Sequence, residues 1–571
     1  MTNADIGAVF DQIADLLEFT GANAFRVRAY RNAARTIADL PEPVSGIVAD
    51  RSRSLTDIDG IGKDLAAKIE SLLKGETLPI LTELHSQVPP TALALLRVPG
   101  LGPKKAAVLL KELDIKSLDE LKVACEAHKV RDLKGFGDKT EEKILAGLTI
   151  AAAGDQRIYW ADADVIVKEL LAYLKACKSV EQIEAAGSYR RGRDTVGDLD
   201  FLVVSTDPNE VMDRLGVYPR VQQVIGRGDT KMSVRLSSGL QVDLRAVPAE
   251  SFGAALQYFT GSKAHNVVVR GLAKDRGLKV NEYGVFRGEE QIAGRSEADV
   301  YRVLELPLFP PELREARREF DWAEAGKLPK LIELNDMQGD LHMHTTETDG
   351  QDTLEAMVQA AQARGLKYIA ITDHSQRVTM ANGLDGPRLL EQWDDIDQLN
   401  KKLRGFKVLK GIEVDILEKG GLDLPDDVLA QADWIVASVH YGQNQPRDRI
   451  TARIVEALEH PSVSAIAHPT GRLINRRSPY EVDLDYVIQV AAKNRKFLEL
   501  NANPARLDLD DVACAAAKAA GVPIVISTDA HSTIGLQQMR YGILQARRAG
   551  LTKDDVANTR PWEKLKAMLG R

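Results

Sequence analysis

Asp198 and Asp200 stand two residues apart in Gly197-Asp-Leu-Asp200, directly before the apolar run Phe201-Leu-Val-Val-Ser205. On an extended strand residues i and i+2 point to one face, so both carboxylates can grip the same pair of divalent cations. Upstream, the Gly187-Ser188 turn brings backbone N–H groups to a phosphate, and Arg190, Arg191 and Arg193 supply counter-charge. A third carboxylate is expected on a neighbouring strand. Lys231-Met-Ser-Val-Arg-Leu236 and Gln241-Val-Asp-Leu-Arg-Ala-Val247, joined through Ser237-Ser-Gly239, read as a hairpin with Asp243 in its second arm. A lone Asp-x-Asp is more often a solvated strand start. The Gly-Ser turn and the later strand carboxylate shift the reading to two-metal phosphoryl transfer to a nucleotide.

A second constellation lies further on. Of ten histidines, seven follow residue 330. Gly339-Asp-Leu-His-Met-His344 reads as a strand with His342 and His344 on one face, followed by Asp349 in a loop. Apolar strands then end in His374, Glu413, His440 and His468, and Ile524-Val-Ile-Ser527 runs into Asp529 and His531. Phe497-Leu-Glu-Leu-Asn501 reads as a strand without an obvious ligand. Helical segments separate these strands, giving seven β/α units. In parallel barrels the active site forms where the strands end. One strand-end histidine is usually a packed residue, but nine groups in register point to a metal cluster, and mixed imidazole and carboxylate ligands suit zinc, manganese or iron. Asp373 is expected to orient ligands rather than bind metal, and His460 to end a helix.

The elements that must position these groups are those of an ordinary globular chain. Its 571 residues imply three or four domains, and 44% hydrophobic content supports ordinary cores. No apolar run is long enough to span a membrane, and Met1-Thr-Asn-Ala-Asp5 is not a signal-peptide start. Cys125, Cys177 and Cys514 are isolated, as expected in a reducing cytoplasm. The net charge of −8 does not announce a nucleic-acid binder, so phosphate binding must come from local sites. Residues 1 to about 80 read as helical. A short repeat then recurs: Ile58-Asp-Gly-Ile-Gly62, Val98-Pro-Gly-Leu-Gly102 and Leu133-Lys-Gly-Phe-Gly137, each leading into a helix whose N–H groups can meet an anion. Lys104 and Lys105 strengthen the second copy. Glu141-Glu142 makes the third the weakest, open to a structural reading.

Here the resemblances become specific. Gly187-Ser188, Gly197-Asp-Leu-Asp200, Asp243, Tyr258-Phe-Thr-Gly-Ser262 and Asn281-Glu-Tyr283 resemble the palm and thumb of a family X DNA polymerase. The resemblance implies that Asp198, Asp200 and Asp243 hold Mg²⁺ or Mn²⁺, and that Gly187, Ser188 and the arginines hold the triphosphate. It also implies that Tyr258, Phe259 and Gly261 line the sugar of the incoming nucleotide, Asn266 its base, and Arg270 the template strand. The repeats resemble helix-hairpin-helix motifs, which hold DNA by its backbone; Gly60, Gly62, Gly100, Gly102, Gly135 and Gly137 form their turns. The first segment resembles the family's small lyase domain, in which a lysine forms a Schiff base with an abasic sugar. Lys68 falls at that position, and its alternative is a helix-surface or phosphate-contacting lysine. Tyr30-Arg31 is kept, whereas Asn32 stands where the family often has a basic residue.

The histidine-rich half resembles a PHP (polymerase and histidinol phosphatase) domain, a distorted (β/α)7 barrel. The resemblance implies up to three Zn²⁺ or Mn²⁺ ions on His342, His344, Asp349, His374, Glu413, His440, His468, Asp529 and His531. The expected chain is multidomain α/β: a lyase-like helical domain (residues 1–80), a helix-hairpin-helix region (81–155), a nucleotidyltransferase palm (156–247), a nucleotide-selecting thumb (248–318), a linker (319–335) and the PHP domain (336–571). The expected function is cytoplasmic DNA repair by a monomer that takes gapped or primer–template DNA and dNTPs and needs no membrane. It fills gaps and carries a 3′–5′ exonuclease, with abasic-site processing. A phosphomonoesterase and a catalytically silent DNA-binding scaffold remain as alternatives.

Overall fold

The computed structural model describes residues 3–38, 44–50, 52–58, 60–74, 76, 78–88, 95, 98, 101, 103–138, 140–142, 144–145, 148 and 157–570. They fall into two compact units: Met1–Arg157 with Val217–Gly226 and Ser233–Val242, and Ile158–Gly216 with Arg227–Met232 and Asp243–Arg571.

In the first unit, Ile6, Phe10, Ile13 and Leu17 recur at three- and four-residue spacing on the helix Asn3–Phe19 and are buried. They share one core with residues of the later helices Ala24–Ala38, Lys63–Leu73, Pro79–Gln87, Pro103–Leu113 and Leu118–Glu126. The three short repeats close in the same way. The N–H of Ile61 donates to Ile58 O at 3.0 Å, that of Leu101 to Val98 O at 2.9 Å, and that of Phe136 to Leu133 O at 3.0 Å. Gly60 and Gly135 sit at φ +80 and +89 in these turns, a region that disfavours side chains.

A five-stranded sheet runs in the order Val180–Ala185, Asp198–Ser205, Gln241–Ala246, Lys231–Leu236, Val221–Arg227. The expected hairpin closes with Gly239 at φ +86. Beyond the sheet come the helices Phe252–Thr260 and Lys263–Asp275 and a small antiparallel sheet of Lys279–Asn281, Gly284–Arg287 and Glu290–Ala293.

Seven parallel strands follow in chain order: Gly339–Asp340, Tyr368–Ile371, Lys407–Asp415, Trp434–Ser438, Ala465–Ile466, Phe497–Asn501 and Ile524–Ser527. The first strand is shorter than expected, and His342 and His344 lie just past it, flanking a parallel bridge from Met343 to Ala530 that joins the end of the first strand's segment to that of the last. The third strand runs two residues beyond Glu413. Tyr368, Trp434 and Phe497, the first residues of their strands, pack with Trp562 in the barrel interior. Gly339 has no room for a side chain, since a Cβ there would meet the Tyr368 ring at 2.1 Å. The strand starts are therefore filled, and the strand ends are left for chemistry.

Within residues 319–335, both ends of the stretch carry buried side chains. Glu319 is buried, accepts from the N–H groups of Ala316 (2.6 Å) and Arg317 (2.9 Å), and lies 2.9 Å from His265 Nδ1. Leu331 and Ile332 are buried as well. The three cysteines are buried and free. Among the described residues no helix is long and apolar enough to cross a membrane.

Candidate active sites

Asp198 and Asp200 alternate with buried Leu199 and Phe201, as a strand with one covered face requires. Asp243 lies on the neighbouring strand, with Lys231 Nζ 3.5 Å from its Oδ1. Burial, then Asp198, then Asp243 push the Asp200 carboxyl up to about 7. Crowded carboxylates that resist ionisation together are relieved by a divalent cation, so the residues fit such an ion. Gly187 follows the strand Val180–Ala185 at φ +64 and opens a one-turn helix through Arg190; a Cβ on it would meet Asp200 Oδ2 at 2.5 Å. The Gly187–Ser188 turn and the Asp200 carboxylate thus approach each other so closely only because residue 187 is glycine.

Two of the three expected triphosphate arginines, Arg190 and Arg191, already have partners. Arg190 makes a two-pronged pair with Glu297 at 2.8 and 2.7 Å and donates to Thr260 Oγ1 at 2.8 Å. Arg191 donates to Glu315 at 3.1 Å and to Thr260 O at 2.5 Å. These bonds tie the turn to the helix that ends in Tyr258, Phe259 and Gly261. Tyr258 and Phe259 meet edge to face at 5.2 Å. Asn266 is buried and holds that helix end, donating to Tyr258 O at 2.7 Å and accepting from Gln257 at 2.8 Å. Arg270 is exposed and returns a bond to Asn266 O.

In the first unit Gly62 caps the helix Lys63–Leu73 without a side-chain bond, which leaves its N–H groups open to an anion. Lys68 pairs with Asp64 and lies 5.9 Å from the centre of the Tyr30 ring. Lys105 lies 5.5 Å from the Phe136 ring centre, so the second repeat packs on the third. Gly135 and Gly137 are placed in the third turn, where buried Glu141 accepts from the Arg131 N–H (2.9 Å) and Nε (2.8 Å). That carboxylate has a structural task. Gly100 and Gly102, and the side chain of Lys104, lie outside the described residues.

The nine expected PHP ligands converge at the barrel's strand ends. Glu413 is central, with His374 Nδ1 at 2.8 Å, His468 Nε2 at 3.1 Å, His440 Nε2 at 3.4 Å and His342 Nε2 at 3.5 Å. His344 Nε2 lies 3.1 Å from Asp529, and His531 Nε2 3.4 Å from Asp349. Three groups have ligand atoms within 4.8 Å of one another: His344, Asp349, His374 and His531; His342, His344 and Asp529; His374, Glu413 and His440. His342 Nε2, His344 Nδ1 and Glu413 Oε2 are buried without a hydrogen-bond partner. Buried polar atoms of this kind need a partner, and a cation of the proposed type supplies one, so the donor set fits. A cavity of about 450 Å³ opens onto most of these ligands, with Met380 and Tyr441 on its rim and Arg506 in its wall.

Several residues that aim the ligands escaped sequence reasoning. Glu499, in the strand read as ligand-free, lies 2.7 Å from His342 Nδ1 and accepts from the His468 N–H at 2.6 Å. Asp415 lies 3.1 Å from His440 Nδ1. Asp340 accepts from Thr528 Oγ1 at 2.5 Å and ties the first strand to the last. A carboxylate inside a fully buried strand, as in Phe-Leu-Glu-Leu, was the available signal. Asp373 does orient, but its bonds go to the Thr345 N–H (2.8 Å) and Oγ1 (2.6 Å), so it holds the loop between His344 and Asp349. His460 caps the helix Arg447–Glu459.

Comparison with known proteins follows the same division. Residues 1–78 match a helix-hairpin-helix domain, 92–149 a SAM-like helix-hairpin-helix tandem, 255–315 the DNA polymerase beta thumb and 340–503 the PHP domain. The DNA polymerase/3′-5′ exonuclease PolX of Bacillus subtilis (strain 168) is 42% identical over 579 residues, covering all of both chains. A probable phosphatase of Thermoanaerobacter sp. (strain X514) is 30% identical over 231 residues, 38% of this chain and 89% of its own. A probable phosphatase of Acetivibrio thermocellus is 31% identical over 166 residues, 28% of this chain and 64% of its own.

Proposed function

The chain belongs to the family X DNA polymerases that carry a PHP domain, and from that premise we propose that it fills short gaps in damaged DNA and trims 3′ ends. It is a DNA polymerase joined to a metal-dependent 3′–5′ exonuclease. One observation carries the reading: a polymerase/exonuclease relative matches along its whole length, in a chain that sets Asp200 against Asp198 and Asp243 and brings eight of the nine candidate PHP ligands into three close groups.

In the polymerase half Asp198, Asp200 and Asp243 would hold Mg²⁺ or Mn²⁺. Ser188 and the turn around it receive the triphosphate, and the primer 3′-hydroxyl is delivered to the α-phosphate. In the PHP half the nine ligands would hold up to three ions, zinc or manganese. Bound divalent cations neutralise phosphate charge and make water a nucleophile near neutral pH. Arg506, in the cavity wall, adds fixed positive charge for the scissile phosphate. The helix-hairpin-helix turns hold the DNA backbone without reading bases, and Lys68 is the candidate for abasic-sugar chemistry. The enzyme works as a monomer on DNA in the cytoplasm. The probable phosphatases that match the PHP half favour a second reading there, removal of a terminal 3′ phosphate.

Asp200→Ala and wild type should be compared on labelled gapped DNA with Mn²⁺, with and without dNTPs. Extension should vanish in the variant while 3′-end degradation persists; normal extension by Asp200→Ala would refute the assignment. Release of phosphate from a 3′-phosphoryl end without strand shortening would favour the second reading.

A further inference from the structure

The turn that receives the triphosphate is braced from the PHP domain. Ser188 O accepts from the Arg193 N–H at 3.2 Å, and Tyr189 O from the Gly192 N–H at 2.9 Å, so Ser188–Arg193 is one closed turn. The PHP helix Met539–Arg548 lies against it. Arg548 Nη1 donates to Arg191 O at 2.7 Å, and Gln545 Nε2 to Gly192 O at 3.2 Å. Leu544 fills the space beside Gly192, where a Cβ would meet it at 2.6 Å. Arg540, on the same helix, pairs at 3.1 Å with Asp164, which accepts from Tyr189 Oη at 2.8 Å.

Charge reinforces the brace. Glu315 lies 3.0 Å from Arg548 and 3.1 Å from Arg191. Arg548 also pairs with Asp511 at 2.7 Å, and Asp511 with Arg317 at 3.0 Å. The Arg548 side chain is 2% exposed, so water does not compete for these bonds. A buried guanidinium with its donors directed to main-chain carbonyls and carboxylates is a rigid support.

We propose that Arg548 and Gln545 of the PHP domain are positioning residues for the polymerase reaction, setting the Ser188–Arg193 turn at the height the incoming triphosphate requires. The inference rests on the reading of that turn as the triphosphate site. The PHP half then serves synthesis through this helix, independently of its own metal cluster. A turn displaced by a fraction of an ångström presents its N–H groups and Ser188 to the wrong place, and such errors are felt strongly in rate and affinity.

The test is single-nucleotide insertion on one-nucleotide-gapped DNA by the full-length chain, with dNTP varied, for Arg548→Ala, Gln545→Glu and Ser188→Ala. Gln545→Glu keeps shape but turns the donor toward Gly192 O into an acceptor, and so guards against a misfolded Arg548→Ala. The KM for dNTP should rise about tenfold or more in the Arg548 and Gln545 variants, with 3′-end degradation and DNA affinity within about threefold of wild type. A raised KM in Ser188→Ala together with an unchanged KM in the two PHP variants would overturn the inference and leave the site reading intact. An unchanged KM in Ser188→Ala would overturn the site reading and the inference with it. Equal loss of extension and degradation in Gln545→Glu, with a lowered Tm, would reduce the contact to packing and also overturn it.

Discussion

Glu499 Oε1 lies 2.7 Å from Nδ1 of His342, from the middle of a strand that otherwise carries only apolar and amide side chains. The carboxylate fixes the imidazole so that Nε2, which has no hydrogen-bond partner, faces Glu413 and Asp529. A histidine held in this way presents one nitrogen in one orientation, ready for a cation.

Glu499→Gln should therefore weaken metal loading and 3′-end degradation by about ten- to a hundredfold while leaving extension near wild type. Metal content by elemental analysis and a degradation assay on the same preparation check this. Full metal content with normal degradation would show that the orientation of His342 is set elsewhere.

His344 belongs to two of the three ligand groups, and His342 to one. His344→Ala should remove more bound metal than His342→Ala and abolish degradation, with gap filling preserved. Activity should return better with Mn²⁺ than with Mg²⁺, because Mg²⁺ seldom takes nitrogen-rich sites. Complete degradation by His344→Ala would place the nuclease elsewhere.

Glu315 is held at about 2: burial would raise its pKa, but Arg548 and Arg191 more than offset that. A depressed carboxyl contributes stability that is fully present above its unfolded pKa, near 4.5, and lost as pH falls through about 2. Glu315→Gln should lose on the order of 3 kcal/mol at neutral pH, with the gap to wild type closing below about pH 4.5. Thermal melts at a series of pH values read this directly; a gap equally wide at pH 3 and pH 7 would mean that ionisation is not its source.

Binding to gapped DNA should exceed binding to blunt duplex and fall as salt rises, with log K dropping by about 0.9 per phosphate neutralised against log salt. Titrations at several salt concentrations with two unrelated sequences decide it. A flat salt response, or strong preference for one sequence, would contradict backbone capture by the helix-hairpin-helix turns.

The convergence of the candidate ligands was legible because strand ends in a parallel barrel must lie together, so spacing alone predicted that His374, Glu413, His440 and His468 would meet. The aspartate pair was legible through the two-residue period of a strand. The braces were not. Glu499 and Asp340 look like errors in apolar strands until partners distant in the chain are seen, and Arg548 looks like an ordinary basic residue at a helix end. The engagement of Arg190 and Arg191 by Glu297 and Glu315 spans more than a hundred residues, which no local pattern encodes. Within 319–335, read as a linker from its charge and prolines, Glu319 is buried because it accepts from two backbone N–H groups and lies beside His265.

The bridge from Met343 to Ala530, with Asp340 holding Thr528, has a consequence for how the protein is made. His344 meets Asp529 only when the final strand docks beside the first. A ribosome delivers the chain from its N-terminus, and domains tend to fold as they emerge. The polymerase aspartates can thus be assembled while the nuclease still lacks Asp529 and His531. Degradative capacity waits for the closing of the barrel, and the bracing helix Met539–Arg548 follows that closure in the chain.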